Sequence, residues 1–312
     1  MSKKVFIDGE AGTTGLQIRE RLEGRSDLDF IRLPDDRRKD LDARREALNG
    51  ADVVILCLPD EAAKEAVALI DNPDTAVIDA STAHRVAEDW TYGFAEMAET
   101  QRDAIRASKR ISNPGCYATG FIALVRPLSD VGVIPPFWPV YCNAVSGYSG
   151  GGKSMIAEFE QGGTNDSYRI YKTELGHKHL PEMTRFGGLE SPPLFAPAVG
   201  RYAQGMIVEV PLQLWALPDE PSVEQLHEIL SAAYDGERFV TVAPLEQSQS
   251  TKQLQPEMLN GTNQLLIHVF GDEAGQQARL VAVLDNLGKG ASGAAVQNLN
   301  LVLGVDEALG LS

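Results

Sequence analysis

The chain has 312 residues, enough for two domains with their own cores, and its 43% apolar and 23% charged content is an ordinary globular mix. A formal net charge of −16 disfavours nucleic acid or an anionic membrane as partner, because both select a basic face, whereas a small anionic substrate needs only a few local Arg or Lys residues. No apolar run reaches the length of a membrane span, and Met1-Ser2-Lys3-Lys4 runs straight into Val5-Phe6-Ile7 without the apolar stretch and small-residue cleavage site of a signal peptide, so a cytoplasmic protein is expected.

Val5-Phe6-Ile7 reads as a short strand, followed by a Gly-rich turn and a helix over residues 16–22 with Leu16, Ile18 and Leu22 apolar. Phe30-Ile31-Arg32-Leu33 is a second strand ended by Pro34. Val53-Val54-Ile55-Leu56-Cys57-Leu58 is a continuous apolar run ended by Pro59, which suits a strand buried on both faces. A helix over 61–70 and a strand at Ala76-Val77-Ile78-Asp79 continue the alternation, which predicts a parallel sheet with helices on its faces. The later runs 140–145, 206–212, 265–269 and 278–284 read as strands of a mostly antiparallel sheet, with a helix over 223–234 packed on it. A last helix spans 291–303. The predicted class is α/β: a Rossmann-type parallel sheet domain plus an inserted α+β domain with a mostly antiparallel sheet. The first domain covers 1–115, completed by a C-terminal helix within 286–312; the second covers 116–285.

The first chemical signal is Gly9-Glu10-Ala11-Gly12-Thr13-Thr14-Gly15, between strand one and helix one. Glycines there let the backbone turn tightly beside a pyrophosphate, and the following helix aims its N-terminal amides at that anion. Gly9, Ala11, Gly12, Thr13, Thr14 and Gly15 are therefore candidate cofactor contacts; the alternative is a plain Gly-rich turn. Beyond strand two, a carboxylate would indicate NAD and positive charge NADP. Asp35 and Asp36 sit beside Arg37 and Arg38, a mixed signal that favours NADP through the two arginines, although a solvated charged loop has the same composition. Leu58, Pro59 and Ser81, after the next two strands, are further candidate cofactor contacts.

The strongest local signal is Ser112-Asn113-Pro114-Gly115-Cys116-Tyr117-Ala118-Thr119-Gly120. Pro and Gly force a turn, and Cys116 opens an apolar helical stretch. A helix N-terminus favours thiolate over thiol, and its amides can hold a developing oxyanion. Cys116 is the expected nucleophile; Cys57 and Cys142 lie in strand-like runs and read as buried, structural thiols. Three cysteines without a close pair fit neither a disulfide framework nor a zinc site.

In Gly176-His177-Lys178-His179-Leu180-Pro181-Glu182-Met183 the His-x-His pair lacks further metal ligands nearby, so no metal is expected. An acid/base imidazole oriented by a carboxylate fits better, with His179 modestly favoured over His177 and Glu182 as the orienting group. His84, His227 and His268 have no comparable neighbours and read as structural or exposed. Ser146-Gly147-Tyr148-Ser149-Gly150-Gly151-Gly152-Lys153 reads as a flexible loop ending in a cation, able to close over a phosphate or to serve as a simple linker. Asp285-Asn286-Leu287-Gly288-Lys289-Gly290-Ala291-Ser292-Gly293 precedes the last helix; its small residues allow close approach of a flat ring, and Asn286 can hydrogen-bond an amide.

Together these residues resemble the N-acetyl-gamma-glutamyl-phosphate reductases, in their short form. The likeness spans nearly the whole chain and rests on the 9–15 loop, the 113–120 cysteine motif, the 146–150 loop, His177-Lys178-His179-Leu180-Pro181-Glu182, and residues 285–298. Glu10-Ala11 and Thr13-Thr14 depart from the long form, and Leu124 stands where the family more often has a small residue. The resemblance implies a fold shared with aspartate-semialdehyde dehydrogenase, NADP as cofactor and a homodimer or homotetramer. It assigns the nucleophile to Cys116, acid/base work to His177 and His179, and nicotinamide contacts to Asn286, Lys289 and Gly290. The implied reaction, in arginine biosynthesis, reduces N-acetylglutamyl 5-phosphate to the semialdehyde through a Cys116 thioester. Asn113, Ser149, Gly150 and Lys153 are candidate substrate contacts, and Arg201, Arg169 and Lys172 are candidates for the N-acetyl and carboxylate groups. Two other readings stand beside this one: an aspartate-semialdehyde dehydrogenase with the same chemistry, and a non-catalytic NADP-sensing Rossmann protein.

Overall fold

The computed structural model describes residues 2–312, and the chain divides into two compact units. The first comprises the chain up to Ala95, Glu99–Pro114 and Ala291–Ser312; the second comprises Glu96–Ala98 and Gly115–Gly290. The chain thus passes between units at 114/115 and 290/291, where the sequence reading placed 115/116 and 285/286. The later return has a local cause: the backbone of Gly290 lies against Cys116, so that a Cβ there would meet the Cys116 Cβ at 2.6 Å.

In the first unit the chain forms β1 (Lys3–Asp8), α1 (Thr13–Arg21), β2 (Leu28–Ile31), α2 (Leu41–Gly50), β3 (Val53–Leu56), α3 (Asp60–Ala68), β4 (Ala76–Asp79), β5 (Thr91–Tyr92), α4 (Gln101–Ala107) and β6 (Arg110–Ser112). The sheet order is β2-β1-β3-β4-β6-β5, and every neighbouring pair is parallel. A parallel sheet needs both faces covered, and alternation along β1 and β3 supplies the two faces. Val5, Ile7 and Ile55 join Ile18 and Leu22 of α1 and Ile105 of α4, whereas Phe6, Val54 and Leu56 join Leu48 of α2 and Ala63 and Ala66 of α3. Helix α2 was not foreseen from the polar sequence around it. It starts where the Asp40 side chain accepts the Ala43 N–H at 2.7 Å, and buries only Ala43, Arg44, Ala47 and Leu48.

The second unit contains α5 (Cys116–Asp130), β7 (Tyr141–Gly147), α6 (Gly152–Glu160), β8 (Tyr168–Ile170), α7 (Leu180–Phe186), β9 (Leu194–Gly200), β10 (Met206–Gln213), α8 (Val223–Ala233), β11 (Val240–Val242), α9 (Leu245–Ser250), β12 (Leu265–Gly271) and β13 (Gln277–Leu284). Its mixed sheet runs β11-β12-β13-β10-β7-β9-β8, with parallel pairing only for β11–β12 and β7–β9. Helix α5 lies directly on this sheet: a Cβ on Gly120 would come within 2.7 Å of Val208 Cγ2. The Tyr234 hydroxyl, just beyond α8, donates to the Ala123 carbonyl at 2.9 Å and ties the two helices together. Tyr141, Tyr168, Ile170 and Leu194 of the same sheet remain exposed.

Two segments that the sequence reading singled out take a different form. The expected flexible loop 146–153 is ordered into the end of β7, a 3-10 turn over Tyr148–Gly151 and the start of α6, which places Lys153 in a helical first turn, exposed. The final helix begins with a π turn over Gly288–Ser292 and continues as α10 (Gly293–Leu303) in the first unit. Among the described residues no helix is long and apolar enough to cross a membrane.

Candidate active site

In the first unit, the β1–α1 turn is pressed onto the end of β3. Gly9 has φ +87°, and a Cβ there would collide with the Cys57 carbonyl, so only glycine fits. Gly12 caps α1 and donates its N–H to the Gly9 carbonyl at 2.9 Å, while a Cβ on Gly15 would sit 2.6 Å from that same oxygen. With no acidic residue in the first turn of α1, its unpaired amides, including those of Thr13 and Thr14, form a cradle for an anion. The turn lies at the carboxyl end of β1, between β2 and β3, where an open parallel sheet reverses direction and ligands settle.

Beside it is a cavity of about 150 Å³ lined by Phe6, Gly9, Ala11, Arg32, Leu33, Arg38 and Leu58, among others. Arg38 reaches Glu10 at 3.1 Å and Asp35 at 2.8 Å, but its buried Nε has no hydrogen-bond partner among the described residues. Arg37 instead points outward and pairs with Asp40. The residues present thus fit a dinucleotide with an anionic substituent near its adenosine end. Arg32, which the sequence reading assigned only to strand two, joins Arg38; its position one residue beyond β2 was the available signal. Pro59 caps α3, and the Ser81 hydroxyl donates to Asp79 at the end of β4.

In the second unit, Cys116 is the first residue of α5, directly after the Gly115 cap. The Gly115 N–H donates to Glu182 Oε2 at 3.1 Å, and the Gly115 carbonyl accepts the Thr119 hydroxyl at 3.0 Å, which fixes the backbone on both sides of the thiol. Glu182 is buried in the first turn of α7, three residues after His179, the cap of that helix. The rings of His177 and His179 meet edge to face, with centroids 4.7 Å apart, and both are buried. His177 Nδ1 accepts the His179 backbone N–H at 3.1 Å, so the neutral ring carries its proton on Nε2, which faces the Tyr171 hydroxyl at 3.3 Å. Burial pushes the Tyr171 hydroxyl up to about 12; a hydrogen bond from Tyr117 opposes this shift, and the neighbouring Cys116 adds to it. Tyr171 is therefore part of the cluster. The sequence reading missed it because it lies six residues before His177 in a segment with no periodic signal.

The other thiols differ. Cys142 is fully buried, and Cys57 is packed against the first unit's core. Burial pushes the Cys57 thiol up to about 12, with Asp79 and Asp8 adding to the shift, and pushes the Cys142 thiol up more strongly.

The remaining candidates divide. Asn286 and Ser149 come together: Asn286 Nδ2 donates to Ser149 Oγ at 3.0 Å, while its Oδ1 accepts the Gly205 N–H at 2.7 Å. Gly150 adjoins them, 3.5 Å from Asn286 Nδ2 to an idealised Cβ. Lys289 is buried, with Nζ 2.8 Å from both Glu96 oxygens and 5.5 Å from the centre of the Phe239 ring. Asn113 is buried in the first unit, donating to the Ala291 carbonyl and accepting from Asn298. Arg169 pairs with Glu158 and Asp166, Arg201 donates to the Thr164 and Asp166 carbonyls, and Lys172 pairs with Glu174.

A parallel-sheet nucleotide unit with a thiol-bearing mixed-sheet unit is the architecture of the semialdehyde dehydrogenases. Family models for the semialdehyde dehydrogenase NAD binding domain and the semialdehyde dehydrogenase dimerisation domain match residues 4–107 and 116–286. The chain is 51% identical over 318 aligned positions to N-acetyl-gamma-glutamyl-phosphate reductase 2 of Nostoc sp., covering 99% of each chain. It is 52% identical over 309 positions to N-acetyl-gamma-glutamyl-phosphate reductase of Brucella anthropi, covering 97% of this chain and 99% of that one. The chain belongs to the N-acetyl-gamma-glutamyl-phosphate reductase family. Among solved structures, aspartate semialdehyde dehydrogenase II of Vibrio cholerae complexed with ASA matches with a TM-score of 0.71 at 16% identity, over 97% of this chain and 98% of that one. Aspartate semialdehyde dehydrogenase with NADP from Candida albicans matches with a TM-score of 0.67 at 14% identity, over 97% and 99% of the two chains. These two share the fold.

Proposed function

We propose that the chain is the NADP-dependent reductase that converts N-acetylglutamyl 5-phosphate to N-acetylglutamate 5-semialdehyde, with release of phosphate, in arginine biosynthesis. The observation that carries this reading is Cys116 at the start of α5, near Tyr171, whose hydroxyl meets His177 of the His177–His179 pair, in a chain half identical to reductases of that name over nearly its whole length.

An acyl phosphate is already activated, so the enzyme needs a nucleophile that can later leave, and a thiolate meets both demands. Cys116 Sγ attacks the acyl carbon and phosphate departs, leaving a thioester on Cys116. NADPH, when bound, supplies the hydride that the thioester carbon receives. The tetrahedral oxygen so formed would be stabilised by amides at the start of α5, and its collapse releases the aldehyde and the thiolate. Both nitrogens of His177 are engaged, one by the His179 amide and one by Tyr171, so His177 orients and His179 is the imidazole that takes the thiol proton, donates it as a hydrogen bond to the tetrahedral oxygen, and returns it to the Cys116 thiolate once the aldehyde has left. Glu182 holds the Gly115 amide and with it the start of α5.

The β1–α1 turn would hold the pyrophosphate, Arg38 and Arg32 would hold the NADP 2′-phosphate, and Leu58 in the same cavity, with Pro59 and Ser81, would make further cofactor contacts. The Ser149–Asn286 pair and Gly150 shape the substrate and nicotinamide pocket. Asn113 acts through the backbone it fixes ahead of Pro114 and Gly115, and Lys289 through its ion pair. A cytoplasmic homodimer or homotetramer is the assembly proposed, supported by the exposed Tyr141, Tyr168, Ile170 and Leu194 on the second sheet; sedimentation in solution tests it.

The reaction is tested in reverse. N-acetylglutamate semialdehyde, phosphate and NADP are supplied and reduced cofactor is followed by absorbance, with aspartate semialdehyde and Cys116→Ser as controls. Phosphate-dependent turnover of the N-acetylated aldehyde alone, absent from the variant, is expected. Turnover of aspartate semialdehyde instead moves the substrate class to the aspartate-semialdehyde dehydrogenases. No turnover of either leaves a nucleotide-binding protein without this activity.

A further inference from the structure

The sequence reading left His84 as structural or exposed, but the fold gives it a carboxylate. Asp79, the last residue of β4, is fully buried, and three donors converge on it. Its Oδ1 accepts the Ser81 N–H at 2.9 Å, and its Oδ2 accepts both the Ser81 hydroxyl at 2.7 Å and His84 Nδ1 at 2.6 Å. The His84 ring is stacked on Trp90, with centroids 4.2 Å apart and planes 13° from parallel. The turn is braced further: the Ala83 N–H donates to Ser81 Oγ at 3.1 Å, and Asp60 accepts both the N–H and the hydroxyl of Thr82.

A buried carboxylate has lost its water and is stable only where donors or a cation replace it. The two Ser81 donors engage one carboxylate oxygen each, and His84 adds the third donor, on Oδ2, the same oxygen that the Ser81 hydroxyl reaches, which helps hold that oxygen in place to receive the hydroxyl proton. The Ser81 hydroxyl must then point its proton at Oδ2, and with one lone pair taken by Ala83 it presents one remaining lone pair. Ser81 therefore meets a ligand only as an acceptor, which suits the N–H of a carboxamide or a ribose hydroxyl.

We propose that His84 is a positioning residue for cofactor binding, acting through Asp79 to orient the Ser81 hydroxyl. This rests on the reading of Ser81 as a cofactor contact given above. Sequence spacing hides the role, because Asp79 to Ser81 to His84 follows neither a helical nor a strand period.

The test is direct titration of the purified full-length protein with NADPH in the absence of substrate, read by cofactor fluorescence, with thermal unfolding in parallel. Ser81→Ala should weaken binding. His84→Phe keeps a ring on Trp90 but has no donor, and should raise Kd by about tenfold or more, as expected for one lost hydrogen bond to a charged group. It should raise KM for NADPH with kcat at saturation nearly unchanged. His84→Asn loses the ring but restores a donor near the position of Nδ1, and should recover most of the affinity. Binding by His84→Phe as tight as by the unmodified protein, with Ser81→Ala weakened, would overturn the proposal alone. Binding by His84→Asn as weak as by His84→Phe would also overturn it, since a donor to Asp79 would then not be what binding depends on. Unchanged binding by Ser81→Ala would overturn the Ser81 reading and this proposal with it. Where His84→Phe does not fold, His84→Ala is titrated with and without added imidazole. Recovery with imidazole supports the proposal, and none overturns it.

Discussion

Glu182 Oε2 accepts the Gly115 N–H at 3.1 Å, so the first turn of α7 holds the residue immediately before the thiol. Replacing Glu182 by Ala strands a buried amide, which costs about 1–3 kcal/mol of stability. Gln retains a carbonyl acceptor there and should lose less. The urea midpoint and kcat of Glu182→Ala and Glu182→Gln check this: both quantities should fall in that order, and equal loss in the two variants would mean that the negative charge matters more than the acceptor.

The three thiols should react unequally. Burial drives the Cys57 thiol up to about 12 and the Cys142 thiol higher, so at neutral pH both are overwhelmingly protonated and unreactive. Brief treatment with iodoacetamide at pH 7.5, followed by peptide mass spectrometry, should place the label on Cys116. Activity should fall in step with that single modification.

Arg38 should set cofactor choice. Its side chain lines the cavity beside the Gly9 turn and has a buried Nε without a hydrogen-bond partner among the described residues, whereas Arg37 faces solvent with Asp40. Arg38→Gln should raise KM for NADPH by about 10-fold to 100-fold, as expected for losing a hydrogen-bonded charge partner of phosphate, and leave KM for NADH little changed. Arg37→Gln should alter neither by more than about twofold, the effect of a surface ion pair.

The Lys289–Glu96 pair is closed to water on both sides, with side-chain exposures of 1% and 0%. Breaking it removes the buried cation that faces Glu96, so Lys289→Met should lose about 3–5 kcal/mol of stability. The double variant Lys289→Met, Glu96→Leu removes both charges and should recover a large part of that loss. Chemical denaturation of the two variants decides the point.

Acid should weaken the second unit at His268. This ring is buried, accepts or donates through Nδ1 to Ser248 Oγ at 3.0 Å and is stacked on Phe270; burial lowers its proton affinity. The unfolded chain titrates at the ordinary value of about 6.5, so below that pH it binds more protons than the folded chain. Stability from neutral His268 is therefore fully present above about pH 6.5 and declines as pH falls through that value. His268→Gln should flatten this part of the profile between pH 8 and pH 5 in thermal unfolding. An unchanged slope would assign the acid sensitivity to other groups.

Much of the fold could be read along the chain. The strands at Val5-Phe6-Ile7 and Val53 to Leu56 follow from apolar runs closed by Gly9 and Pro59, that at Ala76 to Asp79 from its apolar run alone, and Cys116 was placed at a helix start by Pro114 and Gly115. Strands β5, β6, β8 and β11 were not recognised, because two or three residues hold too little pattern and are strands only through their neighbours, and neither was β9, whose apolar run is interrupted by Pro197. The glycines at 150–152 suggested mobility, yet Gly150 and Gly151 close a 3-10 turn and Gly152, at φ +71°, opens a helix. The same freedom of the backbone serves either outcome, and neighbouring contacts select one.

By itself the sequence determined the local chemistry: which turn can cradle a phosphate, which cysteine opens a helix, and which histidines stand two residues apart. These are properties of short spacings, and short spacings fix backbone geometry. Tertiary structure alone decided which nitrogen of His177 carries the proton, that Arg38 rather than Arg37 lines the cavity, and that His84 has a carboxylate. It also decided that Lys289, 193 residues away from Glu96, is neutralised by it, and that Asn286, 137 residues from Ser149, donates to its hydroxyl. A hydrogen bond or a buried ion pair depends on tenths of an ångström and on the exclusion of water. Both are set only when distant segments close around the same atoms.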